Sequence, residues 1–179
     1  MADTWTAIGT ALNTNTMGTA KVWFYLFNGS AATRVLRVYR VGLLNIQTAA
    51  VTGILSTLEL RKYAAGTWAG TAVTPIPHDS GNTALEAAVA AGSNIAPGGS
   101  PTNTIMKRWI WCTDEATVSI WNDNWMQATN QFCSFFDYFT NDSTPIVLRA
   151  NEGVAVYCSA GVSLAGLIDI FVTFTNEAT

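Results

Sequence analysis

The sequence predicts an all-β protein: an antiparallel β-sandwich of the jelly-roll kind, with one short helix set in a long inter-strand connection. Three observations carry that expectation. Short runs rich in Val, Ile, Phe, Tyr and Trp recur from end to end, separated by clusters of Gly, Pro, Asn, Asp and Ser. The cleanest run, residues 167–175, alternates strictly, with Ile168, Ile170, Val172 and Phe174 on one face and Asp169, Phe171, Thr173 and Thr175 on the other. A helix start signal stands at Thr83-Ala84-Leu85-Glu86, a capping box, which confines helix to residues 83–91. About eight strands, irregular loops and one small helix amount to two packed antiparallel sheets.

Residues 1–18 set isolated apolar side chains, Trp5, Ile8, Leu12 and Met17, among small residues and Thr. The plainer reading is a first strand on the protein's own sheet. The sharper one is an extended arm that docks Trp5, Ile8 and Leu12 on a neighbouring subunit. Residues 19–179 then form a single sandwich domain, the default at this length.

Residues 21–27 (KVWFYLF) are apolar on both faces and read as a central buried strand, turned by Asn28-Gly29-Ser30. Residues 33–44 follow. Arg34, Arg37 and Arg40 recur at a spacing that also fits a helix face, but Val35, Val38, Val41 and a bulge-marking Gly42 favour a strand. Near residue 58, Ile54, Leu58 and Leu60 alternate with Thr57, Glu59 and Arg61, so one apolar face meets a core. The strand breaks at Ala64-Ala65-Gly66 and an extended piece covers residues 71–76. Pro75 and Pro77, lacking amide protons, make this an edge or a crossing loop. After the turn Asp79-Ser80-Gly81-Asn82 comes the expected helix, ended by Gly92, and residues 92–104 read as a loop.

Residues 105–112 form a strand with Trp109 and Trp111 on one face and Ile110 on the other. Residues 116–125 hold a short strand or turn around Val118 and Ile120. Residues 132–139 (FCSFFDYF) are another aromatic strand, and residues 146–148, 154–158 and 167–175 complete the set.

Composition narrows the function. Apolar residues make up 49% of the chain and charged residues only 12%, against a typical ~25% charged. Hydroxyl and amide side chains fill the difference, and they are far cheaper to desolvate against a neighbour than charges are. That favours a subunit packed in an assembly. The net charge is −3 and cations are scattered, so no nucleic-acid partner is expected, because phosphate binding needs clustered cations. Cys112, Cys133 and Cys158 have neither metal-ligand nor redox-motif spacing and read as free buried thiols. No run approaches the ~18–20 apolar residues of a membrane span, and Met1 to Trp5 carries no signal-peptide features. No membrane partner is expected.

The chemistry-bearing residues are sparse. His78, the single histidine, adjoins Asp79 in a turn, where neighbouring side chains rarely face each other, so it reads as a loop residue capping backbone groups. Asp114-Glu115 and the pair Asp137 and Asp142 lack calcium-loop spacing and read as solvated turn residues. Pro97-Gly98-Gly99-Ser100-Pro101 lacks the Lys-Ser/Thr and following helix of a phosphate loop. No catalytic, cofactor-binding or metal-binding residue is nominated, and no cofactor is expected. The seven tryptophans invite more. Trp109, Trp111, Trp121 and Trp125, close to Phe132, Phe135, Phe136 and Tyr138, suit a core, a subunit contact or a sugar-stacking platform. Most are assigned to the core, while Trp121 and Trp125 join Trp5, Ile8 and Leu12 as candidate subunit-interface residues.

Several stretches carry a likeness. Val38-Tyr39-Arg40-Val41-Gly42, Glu59-Leu60-Arg61, the run Gly70-Thr71-Ala72-Val73-Thr74-Pro75-Ile76-Pro77-His78-Asp79 and residues 148–156 (LRANEGVAV) resemble structural proteins of tailed bacteriophages that build jelly-roll subunits. The likeness touches about half the chain and departs at Pro77 and across residues 109–125. It implies a non-enzymatic virion protein, assembled in the host cytoplasm, that decorates, cements or forms part of the capsid. Its partners would be other capsid proteins and further copies of itself, a trimer favoured. The alternative is a lectin-like or receptor-binding sandwich of a phage fibre or tail, with the Trp-rich segment as its platform.

Overall fold

The computed structural model describes residues 3–29, 31–46, 54–66, 68–95, 102–113, 132–139, 144–161 and 166–178. These form β1 (Asp3–Asn13), the helical turn α1 (Thr14–Met17), β2 (Lys21–Asn28), β3 (Arg34–Asn45), β4 (Ile54–Ala64), β5 (Thr71–Val73), β6 (Ile76–Pro77), β7 (Val89–Ile95), β8 (Thr102–Thr113), β9 (Phe132–Asp137), β10 (Ile146–Leu148), β11 (Glu152–Gly161) and β12 (Leu167–Ala178). One antiparallel sheet has the order β10-β3-β12-β1-β6, with β9 also against β3. The other runs β5-β7-β2-β11-β4-β8. The long pairings are nested: β1 with β12, β2 with β11, β3 with β9 and β10, and β4 with β8. Two further ladders, β12 with β3 and β11 with β4, set the nested pairs side by side.

The inner faces of the two sheets meet in one apolar core that includes Trp5, Phe24, Leu26, Leu36, Leu58, Leu60, Val156, Ile170 and Phe174. Each such Leu or Phe contributes about 1.5–3 kcal/mol when buried, a large share of a typical net stability of ~5–15 kcal/mol. The all-β sandwich is therefore observed. β2 lies between β7 and β11, and Val22 to Phe27 are all buried, as a strand apolar on both faces requires. In β12 the expected register holds, with Ile168, Ile170, Val172 and Phe174 inward. The arginine spacing in β3 has a simple cause. Arg40 pairs with Thr173 but Val38 with Phe174, so Tyr39 is an extra residue that shifts the alternation and puts Arg37 and Arg40 on the same outer face. Beside Gly42 the extra residue belongs to β9, at Phe135.

Three expectations are corrected. The helix over residues 83–91 does not form. Residues 83–86 are irregular and the following residues enter β7 beside β2. The capping box fails because both its ends find distant partners. The Thr83 amide donates to Asp3 Oδ2 at 3.0 Å, while the Glu86 carboxylate accepts from the Thr33 hydroxyl and from the amides of Thr33 and Arg34, both 3.3 Å away. Gly92 is no helix stop either. A Cβ there would lie 2.7 Å from the Thr71 carbonyl oxygen and 2.8 Å from the Tyr25 hydroxyl, so the glycine lets three strands pack closely.

Of the loop expected over residues 92–104, residues 92–95 belong to β7 and 102–104 to β8, and residues 96–101 lie outside the described residues. Of the two readings of residues 1–18, the first strand is the one observed and the arm is not: Asp3–Asn13 form β1. β1 pairs with β12 from Asp3 opposite Asn176 to Asn13 opposite Leu167, and β6 flanks it on the other side at Trp5 and Thr6. The excursion between β4 and β8 supplies β5 and β7 to one sheet edge and β6 to the other sheet, strapping the two together.

Candidate functional site

Trp5 is only 7% exposed and sits in the core between the sheets, so it is not available to a neighbour. Ile8, on the outer face opposite Phe171, is half-buried, and Leu12 is half-buried and packed on the core. Trp121 and Trp125 lie outside the described residues, as do Asp114, Glu115, Asp142 and residues 97–101. Of the nominated interface residues, Trp5, Ile8 and Leu12 thus share a strand but do not form one exposed face. In β1 the inward positions are Trp5, Ala7 and Gly9, and two small residues give the alternation little weight in the sequence.

The outer faces are more informative. On the β2–β11–β4 face, Tyr25, Phe27 and Tyr63 form a second apolar cluster with Val22 and Ala155. Trp68, from the connection leaving β4, lies over it, with ring centroids 4.9 Å from Tyr25, 5.6 Å from Phe27 and 5.1 Å from Tyr63. Beside this cluster Glu59 is 1% exposed. Arg61, two residues along the same face, donates from Nε to Oε2 at 2.7 Å, and Arg108, directly opposite on β8, donates to Oε1 at 2.8 Å. Arg61 also covers the Tyr157 ring at 3.7 Å. Burial pushes the Glu59 carboxyl up, but the hydrogen bonds and charge of the two guanidiniums outweigh it and hold the group below the ordinary value. The strand periodicity places Glu59 on this face, but nothing local signals that the face is covered.

The outer face of the β6–β1–β12–β3 sheet carries a groove of about 530 Å³. Its floor is a grid of hydroxyls, Thr4 opposite Thr175 and Thr6 opposite Thr173. Tyr39 and Arg40 of β3 and Phe139, just after β9, stand on one side, and His78 stands on the other. Phe139 stacks on Tyr39 with centroids 5.8 Å apart and planes at 16°, and Tyr138 meets both edge-on. Asp137 fixes this corner. Its Oδ2 accepts from Arg40 Nη2 at 2.9 Å and its Oδ1 from the Phe139 amide at 3.0 Å. Asp137 is therefore a buried ion-pair partner, which corrects its reading as a solvated turn residue.

His78 and Asp79 do not act on each other. His78 Nε2 shares a hydrogen bond with Thr6 Oγ1 at 2.7 Å, and Asp79 Oδ1 accepts the Gly81 amide at 2.8 Å as an Asx turn does. Cys158 is free and buried, and burial pushes its thiol up to about 11, which leaves it protonated and inert at neutral pH. The side chains of Cys112 and Cys133 lie outside the described residues. Among the described residues no group of three His, Cys, Asp or Glu side chains converges as a metal site, and no helix is long and apolar enough to cross a membrane. Sequence reasoning missed Tyr39, Phe139 and the threonine grid. An aromatic residue in a turn was the one visible signal, and the bulge that aims Tyr39 depends on strand pairing. Comparison of the chain with protein families, with curated proteins and with solved structures finds no match.

Proposed function

We propose that this chain is a non-enzymatic structural subunit of a tailed-bacteriophage virion, a jelly roll that decorates, cements or forms part of the capsid. The observation that carries the reading is the nested pairing of the eight principal strands. First with last, second with next to last, and so inward to β4 with β8, is the order obtained by rolling one long hairpin into two sheets, the jelly-roll plan. Fold alone does not give function, since lectins and cupins use the same plan. The structural role rests in addition on the neutral polar surface and on the phage likeness of β4, of the strap and of β11. An assembly contact is suggested by β8, the last strand of its sheet among the described residues, where Ile105, Met106 and Ile110 are exposed. Exposed apolar edge strands are a liability that a fixed neighbour removes.

The partners are further copies of the chain, three in the favoured arrangement, and other capsid proteins. Analytical ultracentrifugation of the purified chain, with quantification of its copies in purified particles, tests this. A trimer present in many copies per particle is expected. A monomer absent from particles, or present in a few copies only, overturns it.

A further inference from the structure

We propose that the groove across β6, β1, β12 and β3 binds a neutral oligosaccharide, with Phe139 and Tyr39 as its stacking wall. The inference goes beyond a role in assembly and uses a different face from the β8 edge. It begins with Phe139, which is 69% exposed yet held firmly. Its amide is tied to Asp137, its ring lies against Tyr39 and Tyr138, and the Tyr138 amide donates to the Tyr39 carbonyl at 2.9 Å. A rigid aromatic face turned to solvent loses little entropy when something flat and partly apolar settles on it. The bulge at Tyr39 aims the second ring to the same place.

The rest of the groove selects the class of occupant. Thr4, Thr173 and Thr175 line the floor; a threonine hydroxyl can both donate and accept, as sugar hydroxyls do, and Thr175, which donates to Glu177 Oε1 at 2.8 Å, retains its acceptor capacity. Thr6 and Thr173 stand 3.0 Å apart between their hydroxyl oxygens, and His78 closes the far end through its bond to Thr6. Arg40 spends Nε and Nη2 donors on Asp137 and keeps others for a ligand.

The charges cancel locally. Arg40 is matched by Asp137, and Arg37 by Glu177 at 2.7 Å, so no uncompensated cation awaits an anion. A peptide strand is a poor fit, because within the groove β12 lies between β1 and β3 and β1 is paired with β6 at Trp5 and Thr6, so these positions offer no backbone edge. A pyranose has what the groove complements: an apolar C–H face for the rings and a rim of hydroxyls for the threonines, Arg40 and His78. Three inter-strand spacings give a length of roughly 14 Å, so the groove is longer than one sugar ring.

The test is a glycan array probed with the full chain, followed by titration calorimetry with maltotriose, chitotriose and the best neutral array ligand, and with 3′-sialyllactose as the acidic probe. The expected result is saturable binding of a neutral oligosaccharide at one site per chain. Phe139→Ala should weaken it about tenfold and Thr173→Val should weaken it measurably, both as folded chains whose melting temperature falls by only a few degrees (roughly, for the loss of one ring contact or one hydrogen bond). Ile110→Ser, remote from the groove, should bind as the parent does. No saturable binding of any probe up to about 10 mM, binding of the acidic probe alone, or undiminished binding by Phe139→Ala would each overturn the proposal. An oligomer that Phe139→Ala breaks would also overturn it, by assigning this face to a subunit contact, and would leave the structural role standing.

Discussion

Arg61 Nε lies 2.7 Å from Glu59 Oε2, two residues back on the same strand, and the carboxylate it meets is almost wholly enclosed. The pair sits on the outer face of a sheet, where a charge would ordinarily be solvated. The Tyr157 ring lies beneath Arg61, and Arg108 satisfies the other carboxylate oxygen. Removing one member of an enclosed pair leaves the other uncompensated, a loss of about 3–5 kcal/mol in dry interiors.

Glu59→Gln should accordingly destabilise the chain by about 2–3 kcal/mol, less than the dry limit because Arg108 can turn to water. The Arg108 side chain is 59% exposed. Arg108→Ala should therefore cost under about 1 kcal/mol. Urea denaturation of the two variants and the parent checks this. Equal effects would mean that Glu59 is held no more tightly than a surface carboxylate.

Acid should find the same site. Burial pushes Glu59, Glu152 and Glu177 up, but in each the hydrogen bonds outweigh it: from Arg61 and Arg108, from the Arg149 amide and Lys62, and from Thr175 and Arg37 respectively. All three carboxyls are depressed in the folded state. Their contribution is complete above the ordinary value of 4.5 and is lost as pH falls through the folded values. The melting temperature should hold from neutrality to near that value and then drop, and Glu59→Gln should drop less steeply. A profile flat to about pH 3 would contradict the sign.

β12 allows a graded test of register. Ile170 is fully buried, and Ile170→Asp should prevent folding, because an unpaired buried carboxylate costs several kcal/mol. Asp169 faces outward, and its Oδ1 accepts the Ala11 amide at 2.7 Å where β1 loses register with β12. Asn retains an acceptor oxygen, so Asp169→Asn should change little, whereas Asp169→Ala should cost about 1 kcal/mol. Thermal melts of the three variants separate these outcomes.

Legibility in the sequence followed the range of the interactions. β12 was readable because its alternation is strict and its face assignment is local, and β2 because six apolar residues in a row, Val22 to Phe27, are dominated by aromatic and β-branched side chains. The β7 region was misread because its local signal is real but outcompeted. Thr83 and Glu86 can cap a helix, yet Asp3, Thr33 and Arg34 reach them first, from elements about 50 to 80 positions away in the chain. The groove was invisible for a related reason. Thr4, Tyr39, His78, Phe139 and Thr173 meet only through pairings of β1, β3, β6, β9 and β12, and no local pattern in the sequence links them. Glu59 looked like the polar half of an alternating strand, which it is, but Arg61 and Arg108 close over its carboxylate and Tyr157 lies opposite it on β11.

The last prediction addresses assembly. Ile110 is 71% exposed on β8, and Ile105 and Met106 are exposed along the same strand. A stable contact needs roughly 800 Å² per partner, so these side chains would act as anchors within a larger neutral surface. Burying them contributes about 25 cal/mol per Å². Ile110→Glu should shift the stability of the isolated chain by no more than about 0.5 kcal/mol, because the side chain has little packing to lose. In a contact, the same carboxylate would be desolvated without a partner and should weaken association strongly. Sedimentation should show the parent as an oligomer, nearly indifferent to salt up to about 0.5 M because so little of the contact is charged. The variant should sediment as a folded monomer. A variant that assembles as the parent does would remove the β8 edge from the contact, and a parent oligomer that salt dissolves would replace an apolar contact with an electrostatic one.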